Sequence, residues 1–193
     1  MTIHLCRHGR TTANASGLLL GRADPELDPV GRQQAAAIAA AIPDPAVVVS
    51  SPLARCRATA EAFGLPIRID ERLIELDYGE LDLKPISEVP PEVWTAWRSD
   101  PDFRPPGGET LNELAVRVAA ALEDLAAEAT EPDIAVVTHV SPIKAGIAWA
   151  LGCSVDISWR SFVDQASITD IAIGPNGPSL RSFNRVDHLV GLA

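Results

Sequence analysis

The sequence predicts an α/β fold: a three-layer sandwich with a mostly parallel central sheet, helices on both faces, and a small lid insertion. Three observations carry that expectation. Short β-branched apolar runs recur at residues 2–6, at Ala46-Val47-Val48-Val49 and at Ile134-Ala135-Val136-Val137, as in central strands covered on both faces. Segments with helix start signals alternate with them, which is the pattern of a parallel sheet wrapped by helices. At 193 residues, 47% of them hydrophobic, the chain is large enough to bury one such core as a single domain.

The elements follow in order. Residues 2–6 form the first strand. Asp28 is placed to N-cap a helix with Pro29 at its first position, running through the alanine-rich stretch to Ala41. The second strand leads into Ser51-Pro52, which repeats that arrangement for a helix closed by Gly64. Weaker strands are expected at Pro66 to Asp70, at Ser167 to Ile173 and near Ser179 to Phe183. Thr110 and Glu113 make a capping box, after which Leu111, Leu114, Val118, Leu122 and Leu125 line one apolar stripe. Ser141-Pro142 opens a further helix behind the third strand.

Residues 83–106 differ: six prolines, Trp94 and Trp97, and little strand character. We read this stretch as a lid with one short helix around Glu92 to Arg98, since long ordered insertions are usually functional.

Composition excludes several classes. The net charge of −10 argues against nucleic acid or an anionic membrane surface as partner. No run of about 18 apolar residues spans a bilayer, and no basic region precedes a long apolar run, so a cytoplasmic protein is expected. Cys6, Cys56 and Cys153 are odd in number, scattered and without metal-ligand spacing, which suits buried thiols in a reducing compartment.

Three strands end in polar residues: Arg7-His8-Gly9, Ser50-Ser51 continuing to Arg55, and Thr138-His139. Alone, Arg-His-Gly reads as a solvated strand end. In a parallel sheet, however, the carboxyl ends of strands share one edge, where ligands bind. Two arginines and two histidines converging beside helix N-termini make an anion site. Arginine cannot ligate a metal, and no carboxylates cluster with the histidines, so a metal site is not expected. A serine hydrolase would want a Gly-x-Ser-x-Gly elbow, which is absent. Glu75, in an otherwise apolar Leu73-Ile74-Glu75-Leu76, is the candidate acid, set against its reading as a solvated loop charge. His4 and His188 are left unassigned, His4 as a hydrogen-bonded core residue and His188 as a surface one.

These residues resemble the histidine phosphatase superfamily, also called phosphoglycerate mutase-like. The likeness rests on Arg7-His8-Gly9 with Thr11 and Asn14, on Asp24 to Ala35, on Ser51 to Ala60, on Glu75 to Gly79, on Gly107-Gly108-Glu109-Thr110 and on Thr138-His139. It implies that His8 is the nucleophile that becomes phosphohistidine, and that Glu75 donates the proton to the leaving alcohol. Arg7, Arg55 and His139 would clamp the phosphate oxygens, with Arg10, Thr11 and Asn14 as further substrate-binding residues. No metal and no organic cofactor are implied, the partner is a small phosphate ester, and a homodimer is left open.

The sequence also departs from the family pattern. Arg10 stands where many relatives carry glutamate, adding charge at the pocket mouth. Val140-Ser141 replace the usual glycine after His139. Glu80-Leu81-Asp82 replace Trp-Glu-Gly, leaving Asp77 and Glu80 as weaker acid candidates. The expected function is hydrolysis of a small phosphorylated metabolite. A mutase is disfavoured, because residues 82–106 hold only Lys84, Arg98 and Arg104 as basic groups. A non-catalytic phosphate-binding module is the remaining alternative.

Overall fold

The computed structural model describes residues 1–128 and 133–192. Six strands, β1 (Thr2–Arg7), β2 (Val47–Ser50), β3 (Ile67–Ile69), β4 (Ile134–Thr138), β5 (Ile168–Gly174) and β6 (Gly177–Arg185), form one sheet in the order β3-β2-β4-β1-β5-β6. The first four are parallel, and β5 and β6 add an antiparallel edge. The helices are α1 (Thr12–Ala15), α2 (Pro29–Ala41), α3 (Ala54–Ala60), α4 (Pro91–Ser99), α5 (Leu111–Glu128) and α6 (Val140–Leu151). Among the described residues, no helix is long and apolar enough to cross a membrane.

The alternation of side chains along each strand builds the three layers. Ile3, Leu5, Val49 and Val136 point to one face, into a core with Leu114, Val118 and Leu122 of α5 and Ile143 of α6. Cys6, Val48, Ala135 and Val137 point to the other, against Ile38 of α2 and Cys56 and Ala60 of α3. The strands are therefore apolar on both sides, as their sequence suggests.

Helix caps show where local signals hold. Asp28 Oδ1 accepts from Gly31 N at 2.7 Å with Pro29 at N1. Thr110 and Glu113 bond reciprocally at 3.1 and 3.0 Å. Two starts are corrected. The helix expected from Ser51-Pro52 begins at Ala54, because the Ser51 hydroxyl is engaged by His139 and the Asp24 carboxylate caps Ala54 N from another loop at 2.8 Å. Likewise α6 starts at Val140, with His139 at its N-cap and the Ser141 amide turned to Glu75. Cys153, expected buried, is exposed: it follows Gly152, whose left-handed conformation ends α6 and turns the chain outward.

The glycine of Arg7-His8-Gly9 answers a packing need. A Cβ on Gly9 would lie 2.3 Å from Gly31 O, and one on Gly31 would lie 2.0 Å from Arg10 O. The turn after β1 thus rests directly on the first turn of α2. Gly31→Ala forces these backbones apart, and we expect a loss of roughly 1–3 kcal/mol in denaturant unfolding, the range for an overpacked contact.

In residues 83–106, Trp97 of α4 is 1% exposed. Its ring stacks on Trp94 at 5.8 Å and meets Trp159 edge-on at 5.9 Å, so the segment is pinned to the 3-10 turn Val155–Arg160.

Candidate active site

The parallel register pairs Ile3 with Ile134 and Arg7 with Thr138 between β1 and β4, and Ser50 with Val137 between β2 and β4. The three polar strand ends therefore fall on one edge. His8 N continues the ladder to Thr138 O at 3.0 Å, and Ser51 N does so to Val137 O at 3.0 Å.

At that edge His8, Arg55 and His139 are all buried. The single Nε–H of Arg55 lies 3.3 Å from His8 Nε2 and 3.3 Å from His139 Nδ1. Its terminal nitrogens donate to Ala23 O at 2.7 Å and Gly21 O at 2.8 Å. The same two residues are held through their amides by Asp82, whose two oxygens accept from Gly21 N and Ala23 N at 2.7 Å each.

Partners fix the tautomers. His8 Nδ1 faces Gly9 O at 2.7 Å, and a carbonyl only accepts, so Nδ1 carries the proton and Nε2 keeps its lone pair. His139 accepts at Nδ1 from Arg55, and its Nε2–H then donates to Ser51 Oγ at 2.7 Å. The ring centroids lie 5.1 Å apart. Burial, reinforced by the charge of Arg55, holds both imidazoles well below the usual histidine value. Two neutral bases therefore share one cation's donor.

Glu75 is buried, and its carboxyl accepts from Leu76 N at 2.7 Å and Ser141 N at 3.2 Å. Burial raises its pKa above the ordinary carboxylate value, against the opposing pull of these amides and of Arg55 and Arg7. It holds a proton more readily than an ordinary carboxylate. Arg7 anchors through Nη1 on Val163 O at 2.8 Å, and burial pushes its pKa down to about 10, so it stays cationic at neutral pH.

The remaining candidates lie elsewhere in the network. Arg10 donates to Asp28 Oδ2 at 2.7 Å, so its charge is balanced at the start of α2. Thr11 and Asn14 hold each other: Asn14 Oδ1 accepts from Thr11 N at 3.1 Å, and Thr11 Oγ1 accepts from Asn14 N at 3.2 Å as the cap of α1. Of the weaker acids, Asp77 caps Gly79 N at 2.8 Å and Glu80 is exposed. His4 bonds Asp170 at 2.7 Å, and His188 bonds Ala166 O at 2.9 Å. Among the described residues, no group of three or more His, Cys, Asp or Glu is arranged to hold a metal ion.

Sequence reading assigned no site role to four further contributors: Cys56, Arg117, Glu109 and Arg22. Cys56, not Cys6, touches the cluster, with Sγ 3.3 Å from His139 Nε2. Arg117 donates to Ile74 O at 2.7 Å and Glu75 O at 3.2 Å, and Glu109 holds Arg117 at 2.7 Å. Arg22 adds a bond to Glu75 O at 2.8 Å. This brace fixes the backbone that presents Glu75. Its only sequence trace is an arginine eight positions after the Gly-Gly-Glu segment.

The opposite shifts of His8 and Glu75 set a pH window. Were His8 to act unprotonated and Glu75 protonated in a reaction at this site, the acid limb of kcat/KM should lie below 6.5 and the basic limb above 4.5. For stability the signs differ. His8 and His139 take up protons on unfolding, so stability falls as pH drops below 6.5. Glu75 favours the fold while protonated, and that gain fades as pH rises through its folded value. Because Glu75 opposes the histidines in this range, the test is a difference: between pH 7 and pH 5 the native chain should lose more Tm than His139→Gln, which keeps Glu75 and lacks one buried imidazole.

Comparison with known proteins places this geometry. Residues 3–186 match the family model for the histidine phosphatase superfamily (branch 1). A bifunctional protein of Mycobacterium tuberculosis is 32% identical over 196 residues, covering 96% of this chain and 54% of its own length, so the chain spans about half the length of that relative. Phosphoserine phosphatase 1 of Hydrogenobacter thermophilus is 29% identical over 96% of this chain and 92% of its own. The structure of phosphoserine phosphatase from Entamoeba histolytica with 3-phosphoglyceric acid superposes with a TM-score of 0.90 at 27% identity, over 97% of this chain and 98% of that one. With His8, Arg55, Glu75 and His139 gathered at the ends of β1, β2 and β4 and a family match across nearly the whole length, this chain belongs to the histidine phosphatase superfamily.

Proposed function

We propose that this chain is a phosphomonoesterase that hydrolyses a small phosphorylated metabolite through a phosphohistidine on His8, with Glu75 as proton donor. The observation that carries the reading is the one Arg55 Nε–H shared at 3.3 Å between His8 Nε2 and His139 Nδ1. It aims an unprotonated, unusually nonbasic imidazole nitrogen at the point where a guanidinium offers charge.

His8 Nε2 attacks phosphorus opposite the ester oxygen. The P–N bond forms as the P–O bond breaks, and Glu75 passes its proton to the departing alkoxide. The Glu75 carboxylate then takes a proton from water, whose oxygen attacks phosphorus. The P–N bond breaks, His8 regains its lone pair, and inorganic phosphate leaves. Arg7 and Arg55 oppose the charge on the equatorial oxygens in both steps.

The phosphoserine phosphatases among the relatives support a small phosphorylated metabolite as substrate. Transfer back to a phosphoglycerate would call for free basic groups over the site. In residues 83–106, Arg104 is paired with Glu113 at 2.5 Å and Arg98 lies 5.8 Å over the Trp159 ring, which leaves the exposed Lys84 as the one basic side chain there with no such partner among the described residues, and this sparse charge favours hydrolysis. The free thiols of Cys6, Cys56 and Cys153 suit a reducing cytoplasm.

Incubation with phosphorus-labelled 3-phosphoglycerate and phosphoserine tests the assignment. Label should appear as inorganic phosphate. Its retention in an isomeric phosphoglycerate overturns hydrolysis in favour of a mutase, and phosphate binding without turnover of any ester favours the non-catalytic module.

A further inference from the structure

Arg55 carries the donor that His8 and His139 share, and its own orientation is set from outside the cluster. The terminal nitrogens of its guanidinium donate to Ala23 O at 2.7 Å and Gly21 O at 2.8 Å. A guanidinium is planar, so these two bonds fix the direction of the Nε–H. In that orientation the one hydrogen faces His8 Nε2 and His139 Nδ1, with Nε 3.3 Å from each. Asp24, the carboxylate beside it, stays 3.9 Å away and spends both oxygens on Ala54 N, at 2.8 and 3.1 Å. Arg55 is therefore aimed by two backbone carbonyls.

Residues 21–23 belong to no helix or strand, so those carbonyls need another anchor. Asp82 supplies it. Its Oδ1 accepts from Gly21 N and its Oδ2 from Ala23 N, at 2.7 Å each. Bonds from an ionised carboxylate to backbone amides are short and strong. Gly21 and Ala23 are each gripped at the amide by Asp82 and at the carbonyl by Arg55. A Cβ on Gly21 would lie 2.9 Å from Tyr78 Cδ2 and 3.0 Å from Leu76 O, so the loop is also pressed against the chain that follows Glu75.

The turn at Asp82 is held against a local cost. Leu83 has φ 62°, in the left-handed region that favours glycine, and its side chain is exposed, so burial offsets little of the strain. Strained residues of this kind persist where the surrounding structure over-determines them. Here Leu83 N donates to Leu19 O at 2.7 Å, and Lys84 O accepts from Leu19 N at 2.8 Å. The start of residues 83–106 is thereby paired with the loop that carries Gly21 and Ala23, and the Asp82 carboxylate meets both amides.

We propose that Asp82 is the positioning residue of Arg55: its carboxylate orders residues 21–23, whose carbonyls turn the guanidinium toward the two imidazoles. Its effect on catalysis rests on the phosphatase reading above, whereas its effect on Arg55 rests on the hydrogen bonds alone.

The test uses Asp82→Ala, which removes both clamps, and Asp82→Asn, which has the same shape and keeps one accepting oxygen. The first readout is the proton–nitrogen NMR spectrum of the arginine Nε–H groups. Arg117 Nε–H, which donates to Glu109 Oε1 at 2.7 Å, is the internal control. The Arg55 resonance should shift and exchange faster with water in both variants, more in Asp82→Ala, while that of Arg117 stays in place. An unchanged Arg55 resonance overturns the proposal. Equal changes at Arg55 and Arg117 also overturn it, because they signal general loosening.

The second readout is kcat/KM for 4-nitrophenyl phosphate, whose leaving group needs no proton from Glu75. It should fall about 10- to 100-fold in Asp82→Ala, the cost of a displaced catalytic charge, and less in Asp82→Asn. Activity within about twofold of the native chain overturns the link to catalysis. If the native chain hydrolyses no ester, the phosphatase reading fails, and the NMR spectrum still decides whether Asp82 positions Arg55.

Discussion

His8→Ala is expected to abolish turnover, lowering kcat by about 10⁴-fold or more, and to leave no acid-labile phosphoenzyme after a rapid quench with labelled ester. Losing a nucleophile removes the covalent route itself, and remaining groups supply only positioning and charge. The geometry sharpens the expectation, since His8 Nε2 is the unprotonated nitrogen and its Nδ1 is tied to Gly9 O at 2.7 Å. His139 does not replace it: its Nε2 is committed to Ser51 Oγ at 2.7 Å and its Nδ1 to Arg55. A labelled protein surviving in His8→Ala would move the nucleophile to another residue. Fold is checked independently by the circular dichroism spectrum, which should be unchanged in the variant.

Glu75→Gln should separate substrates by leaving group. For an alkyl phosphate we expect a loss of roughly 10²–10⁴ in kcat, the range for a positioned general acid. For 4-nitrophenyl phosphate, whose phenolate departs without a proton, the first step should be far less affected. The variant should also lose the basic limb of the pH profile. Glutamine is nearly isosteric and keeps an oxygen to accept from Leu76 N and Ser141 N, which lie at 2.7 and 3.2 Å. The brace of Arg117 and Glu109 therefore stays in place, and equal losses on both esters would remove Glu75 as the acid.

Much of this molecule is local, and local features are legible in sequence. Runs such as Ile134 to Val137 are apolar at every position because both sheet faces are covered, so they announce central strands. Asp28-Pro29 and Thr110-Glu113 bond within their own first turns and need no distant partner. The helix starts at Ser51 and Ser141 misled for the converse reason. Their polar groups serve His139 and Glu75, which lie 88 and 66 residues away in the chain.

The same division runs through the candidate site. Sequence by itself determined the fold class and the three polar strand ends, and with the family resemblance it named Arg7, His8, Arg55, Glu75 and His139 as candidates, because apolar runs and motif spacing are written along the chain. Only the tertiary structure decided how they act together. Parallel register brings β1, β2 and β4 to one edge, so one Arg55 hydrogen reaches two imidazoles. Burial then lowers the histidines and raises Glu75. Arg10, which in sequence adds charge to the pocket, is neutralised by Asp28, a partner 18 residues away. Charge and hydrogen bonding depend on distances of a few ångströms in a shielded medium, and only folding sets those distances.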